Sequence, residues 1–235
     1  MKAAITILRR KATRSRRLVL TACVALPLMA TSAEARGMVD GALIANRLSG
    51  LQGGPSAPAL HAALAAFAEA ANQGAVARPD LLTVIDYTRP STEPRLWVLD
   101  LRRGSVLYRE LVAHGKRSGE NVTRAFSNAE GSLMTSLGLF VTDTSYVGSN
   151  GYSLRLRGLE PGINDNAFAR AIVIHGAAYV SQAIADKLGR LGRSWGCPAV
   201  RSDIARKLID TIKGGTAIYA YGGPAADAAS RQAAH

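Results

Sequence analysis

Apolar positions change their period once along the 235-residue chain, and the change separates a helical segment from a β-rich one. Residues 37–48 and 58–73 read as helices. In the second, Leu60, Leu64, Phe67 and Ala71 recur on one face. The Gly- and Pro-containing stretch 50–58 holds the two apart. From Leu81 the pattern turns to short β-type runs at 81–87, 96–101, 106–113, 138–142, 152–157, 171–175 and 217–221, separated by turn clusters such as Arg89-Pro90-Ser91 and Gly148-Ser149-Asn150-Gly151. A last helix is predicted over 202–213, because Ile204, Leu208, Ile209 and Ile212 share a face and Gly214-Gly215 stops it. The expected fold is mainly β with flanking helices (α+β), an antiparallel β-sandwich or barrel preceded by a short helical segment over 36–79. Residues 222–235 read as a flexible tail.

The first 35 residues read as an address rather than as structure. Seven basic residues between Lys2 and Arg17 precede the apolar run Leu18 to Ala30, and Ala33-Glu34-Ala35 offers a cleavage site. That run is too short to cross a hydrocarbon core of about 30 Å, so no retained transmembrane helix is expected. Export to a periplasm by a general secretory or twin-arginine route is the expectation, Arg16-Arg17 before Leu18 suiting the latter.

Removal of this segment changes the charge and the cysteine count. The formal net charge of +12 falls to +6, since seven of 29 basic and one of 17 acidic residues leave, giving 22 against 16. No basic run interleaved with aromatics remains, so a nucleic-acid partner is not expected. Cys23 leaves as well. Cys197 is then a lone thiol in an oxidising compartment, either an inert small hydrophobe or a reactive group.

Its surroundings favour reactivity. The apolar run Ile172-Val173-Ile174 delivers His175-Gly176 to a strand end, where a base would emerge from the core. Downstream, residues 189–198 set Arg190 and Arg193 near the thiol, and Gly196 directly before it lets backbone N–H groups converge on an oxyanion. Nearby cations favour thiolate over thiol. A Cys–His pair of this kind passes the thiol proton to imidazole and attacks a carbonyl to form an acyl-enzyme.

At these residues the sequence resembles the L,D-transpeptidase (YkuD-type) catalytic domain family, in its murein branch. Ile174-His175-Gly176 and the stretch from Gly189 to Ala199 carry the likeness, with further matches at Val84 to Tyr87, His114-Gly115-Lys116, Phe126-Ser127-Asn128, Ser136-Leu137-Gly138 and Gly158-Leu159-Glu160. The resemblance covers residues 80–221. It implies that Cys197 is the nucleophile, His175 its base, the Gly176 carbonyl the group that orients the imidazole, and the Gly196 and Cys197 amides the oxyanion hole. The implied substrate is a peptidoglycan stem peptide, cleaved after the L-centre of diaminopimelate with loss of D-alanine, the acyl group passing to an amine or to water. No metal or other cofactor is implied.

The sequence departs from the wider family at Trp195, where a histidine is usual, and at Pro198-Ala199. A stem carboxylate is therefore assigned to Arg190 or Arg193, whose guanidinium grips it bidentately; their other reading is capping of loop carbonyls. Ser194, Trp195, Tyr179 and His114 complete the candidate substrate contacts. Three rival readings remain in view: a Ser194 nucleophile elbow in Gly192-Arg193-Ser194-Trp195-Gly196, zinc held by Cys197, His175 and His114, and a noncatalytic wall-binding module. Oligomeric state leaves no mark in the sequence.

Overall fold

Asp40 and Ser56 set where the two N-terminal helices begin. The Asp40 carboxylate accepts from the amides of Ala42 and Leu43, so α1 (Gly41–Leu48) starts four residues later than the apolar pattern predicts. Ser56 accepts from Ala59 and opens α2 (Ala57–Asn72), with Pro58 in its first turn. The face of α2 carrying Ala59, Ala63, Leu64, Phe67 and Ala70 is buried. The computed structural model describes residues 39–48, 51–226 and 229; the export segment expected over 1–35 lies outside the described residues, as does most of the tail beyond 226.

Nine strands follow: β1 (Leu81–Asp86), β2 (Leu96–Asp100), β3 (Ser105–Glu110), β4 (Val112–Ala113), β5 (Gly138–Gly148), β6 (Gly151–Gly158), β7 (Val173–Gly176), β8 (Ala199–Val200) and β9 (Ala217–Tyr221). Helix α3 (Gln182–Leu188) lies between β7 and β8, and α4 (Ser202–Ile212) between β8 and β9. The strands bond in the order β3-β2-β1-β9-β5-β6-β7-β8-β4. Its two edges, β3 and β4, are consecutive in the chain with Leu111 alone between them. A one-residue link cannot span an open sheet, so the sheet curls into a nearly closed barrel.

The structure refines the expected strand pattern in two ways. The predicted run 106–113 is two strands split at Leu111, where the barrel edges meet. Pairing is mainly antiparallel, but β7 with β8, joined by the α3 crossover, and β1 with β9, the first and last strands, run parallel. Residues 222–226 are described and Ala226 packs on the core, so the predicted tail starts later than Gly222.

Two buried clusters sandwich the sheet. Inside the curl, Leu154, Leu156, Ile174 and Ile218 pack against Leu208, Ile209 and Ile212 of α4. On the other face of β1, β2 and β9, Leu82, Val84, Trp97, Leu99 and Tyr219 pack against α2. That double cover explains why β1 is buried at all six positions and reads as a continuous apolar run. A third cluster, Leu111, Ala113, Ala177, Val180, Ala185, Leu191 and Ala199, lies under α3 beside the residues discussed next.

Candidate active site

β7 places His175. Ile174 faces the interior cluster with Leu154, so alternation turns His175 to the opposite face. There it stands opposite Ser153 of β6 and Ala199 of β8. Its Nδ1 lies 3.0 Å from the carbonyl oxygen of Gly176. A carbonyl only accepts, so Nδ1 carries the proton and Nε2 keeps its lone pair. Burial pushes the His175 pKa below the usual histidine value, while the Gly176 carbonyl pulls the other way. Gly176 faces α4, and a Cβ there would meet Ala205 at 2.9 Å.

Cys197 precedes β8 by two residues. Pro198 lines the interior and Ala199 packs on the outer cluster, and the Cys197 sulfur meets the segment leading into β7, at Ala171 O and the Val173 amide. With His175 opposite Ala199, the Cα atoms of Cys197 and His175 are separated by two strand residues and one strand spacing, roughly 8 Å. The thiol donates to the Ala171 carbonyl at 3.7 Å, and among the described residues it makes no hydrogen bond to His175. Ala171 adopts φ 52°, a left-handed conformation that a non-glycine residue rarely takes, at the point where its carbonyl meets the sulfur.

Burial raises the thiol pKa. The amide of Val173, the cation of Arg170 and the thiol's own amide oppose that rise. Arg170 is the guanidinium beside the sulfur, and the sequence analysis did not single it out. It donates to Ser127 O, Ser136 Oγ, Ser132 Oγ and Met134 O, which fix it in place. Nothing in the sequence distinguishes it from other arginines, because its partners lie 34 to 43 residues away.

The two arginines that the sequence offered as cations are turned to another use. Arg190 Nε and Arg193 Nη1 reach the two oxygens of Glu120, at 3.0 and 2.6 Å. Arg193 also donates to Gly119 O and Lys116 O, and Arg190 to Leu191 O. Both therefore brace loop 116–120 against the stretch that carries the thiol, as the reading of them as loop caps expects.

His114 is likewise held within the fold. It is 1% exposed, Nδ1 lies 2.7 Å from Arg95 Nη2, and Nε2 lies 3.2 Å from Gly119 O. Arginine only donates and the carbonyl only accepts, so both ring nitrogens are satisfied and neither reaches a substrate or a metal. Among the described residues, no group of three or more His, Cys, Asp or Glu is placed to hold a metal ion.

The turn before the thiol is closed by Ser194. Its hydroxyl donates to Cys197 O at 2.6 Å and accepts from the Gly196 amide at 3.1 Å. This bond occupies the Gly196 N–H expected in the oxyanion hole. It also makes Ser194 a structural clasp: it is buried, and β8 rather than a helix follows it, contrary to the nucleophile elbow. Gly196 has φ 126°, and a Cβ would sit 2.8 Å from Met134 O, so glycine is required. Trp195, two residues before Cys197 in the chain, is 73% exposed. Tyr179 is half-buried against Gly192, and burial together with the charge of Cys197 pushes its pKa up to about 12. A groove of about 870 Å³ between α2 and the segment 159–163 contains neither Cys197 nor His175.

Comparison with known proteins places this geometry in a family. The model of the L,D-transpeptidase catalytic domain matches residues 52–221, taking in α2 as well as the whole barrel. Among solved structures, the chain is similar to an L,D-transpeptidase from Mycobacterium smegmatis, with 16% identity, a TM-score of 0.38, and coverage of 60% of this chain and 58% of that one. It is similar also to L,D-transpeptidase 1 of Mycobacterium tuberculosis, with 16% identity, a TM-score of 0.34, and coverage of 61% and 62%. The chain thus spans about six tenths of the length of these structures. No curated protein matches. With the family match extending over well more than half of its length, the chain belongs to the L,D-transpeptidase catalytic domain family.

Proposed function

We propose that the protein is exported and acts as a cysteine acyltransferase on peptidoglycan stem peptides, cross-linking them through an L,D-transpeptidase reaction. The observation that carries this reading is the His175–Gly176 hydrogen bond on β7, the strand whose leading segment meets the Cys197 sulfur. It leaves Nε2 as the basic nitrogen, and in the proposed reaction the thiol leaves Ala171 O to give its proton to that nitrogen.

The steps then balance as follows. Nε2 takes the thiol proton, and sulfur attacks the carbonyl after the L-centre of diaminopimelate. The oxyanion is met by the Cys197 amide, since the Gly196 amide serves Ser194. Collapse breaks the peptide bond, the imidazolium returns its proton to the departing D-alanine amine, and a thioester remains. An amine of a second stem attacks the thioester, Nε2 accepts its proton, and the thiol is regenerated. Tyr179, which interacts electrostatically with Cys197, and the exposed Trp195, two residues before the thiol, offer aromatic surface to the stem.

Incubation of the purified protein with disaccharide tetrapeptides, followed by mass spectrometry, tests the reading. A cross-linked dimer that has lost one alanine supports transfer, and a trimmed monomer assigns hydrolysis instead. Products that persist in Cys197→Ala overturn the assignment of the nucleophile.

A further inference from the structure

Arg155 is a cation without an acid. Its guanidinium lies over the ring of Tyr146, 4.3 Å from the centroid, and 5.6 Å from that of Phe168. No carboxylate among the described residues pairs with it, whereas Arg157 has Asp143, and Arg190 and Arg193 have Glu120. Two aromatic faces hold a guanidinium flat without neutralising it, and leave its N–H edge available for a planar anion.

Strand register sets this edge beside the proposed base. Ser153 stands opposite His175 and Arg155 opposite Val173, so Arg155 and His175 share a face as diagonal neighbours, with Cα atoms about 7 to 8 Å apart. Tyr146, opposite Ser153, falls on that face too. Phe168 is 43% exposed and lies three residues before Ala171, whose carbonyl receives the thiol. Arg157 also packs on Phe168, 4.8 Å from the centroid.

We propose that Arg155 on its Tyr146–Phe168 platform binds a carboxylate of the acyl donor whose carbonyl Cys197 attacks across β7. The proposal rests on the stem-peptide reading. In a diaminopimelate residue, six bonds separate the L-centre carbonyl carbon from the side-chain carboxylate, about 7.5 Å when extended. β6, which carries Arg155, is separated from β8, which follows Cys197, by β7 alone, a gap of two strand spacings, about 10 Å, that this span and the reach of the Arg155 side chain cover together. A carboxylate there accepts two parallel N–H···O bonds, which a carboxamide or a lysine ammonium cannot. Arg155 thereby selects the donor by its side-chain end.

Calorimetry on Cys197→Ala protein separates recognition from chemistry. The probes are a tetrapeptide stem with diaminopimelate and the same stem with its side-chain carboxylate amidated. The carboxylate form is expected to bind about tenfold tighter than the carboxamide. With Arg155→Met both forms bind alike at the weaker value; Arg155→Lys and Tyr146→Leu each retain part of the difference. If Arg155→Met weakens both forms equally, leaves the difference intact, or if neither form binds, the proposal is overturned. Turnover by the unsubstituted protein is read separately. Discrimination by Arg155 without turnover retains carboxylate recognition and refutes the transpeptidase activity.

Discussion

His175 Nδ1 and the carbonyl of Gly176, 3.0 Å apart and adjacent in the chain, fix the imidazole tautomer from within one strand end. The acceptor is backbone, so no side-chain substitution removes it, and no second acid is needed to hold the ring. A carbonyl orients without adding negative charge, and burial keeps the His175 pKa below the ordinary histidine value. The base is therefore neutral throughout the neutral range. kcat/KM for stem peptides is expected to be flat from pH 8 to about 6.5 and to fall about tenfold per unit once pH passes below the lowered value. A limb that begins above pH 6.5 contradicts a neutral resting base.

The resting sulfur is a thiol, since burial raises its pKa despite Arg170. Iodoacetamide should alkylate Cys197 slowly at pH 7, with a midpoint above 9, the ordinary value against which the rise is measured. Arg170→Gln should move the midpoint higher still. Rapid alkylation at neutral pH would identify a preformed thiolate–imidazolium pair instead.

His114 ties stability to pH. Burial and the neighbouring Arg95 cation lower its pKa to about 4, from 6.5. The unfolded chain therefore takes up a proton before the folded one does. Its contribution is complete above pH 6.5 and is lost as pH falls toward 4, to a maximum on the order of 3 kcal/mol. Urea unfolding at pH 7 and pH 4.5 measures it. His114→Gln, whose amide both accepts from Arg95 and donates to Gly119, should flatten the dependence; an unchanged slope would refute it.

Gly196→Ala tests the close approach behind the thiol. The added methyl meets Met134 O at 2.8 Å, and φ 126° disfavours any Cβ. A loss of about 2 to 3 kcal/mol in urea unfolding is expected, together with loss of turnover. A stable, active variant would show that the turn has room it is not seen to have.

The sequence carried the architecture where periodicity is local. The apolar face of α4, the runs that became β1, β2 and β9, and the His-Gly and Ser-x-Gly-Cys elements are all contiguous signals. It did not carry what depends on distant partners. Glu120 claims Arg190 and Arg193 across some 70 residues, and Arg95 buries His114 through a contact 19 residues away. Arg170 and Arg155 owe their importance to serine, carbonyl and aromatic neighbours that only the folded sheet assembles. β8 is two residues long, below what alternation can reveal, and its parallel pairing with β7 follows from the α3 crossover rather than from any strand pattern.

Intact-protein mass spectrometry during turnover of a disaccharide tetrapeptide reads the acyl-enzyme itself. A transient adduct equal to the donor stem minus D-alanine is expected, mapping by proteolysis to Cys197 and absent from Cys197→Ala. An adduct on Ser194 or any other residue, or turnover that continues in Cys197→Ala, would contradict Cys197 as the nucleophile.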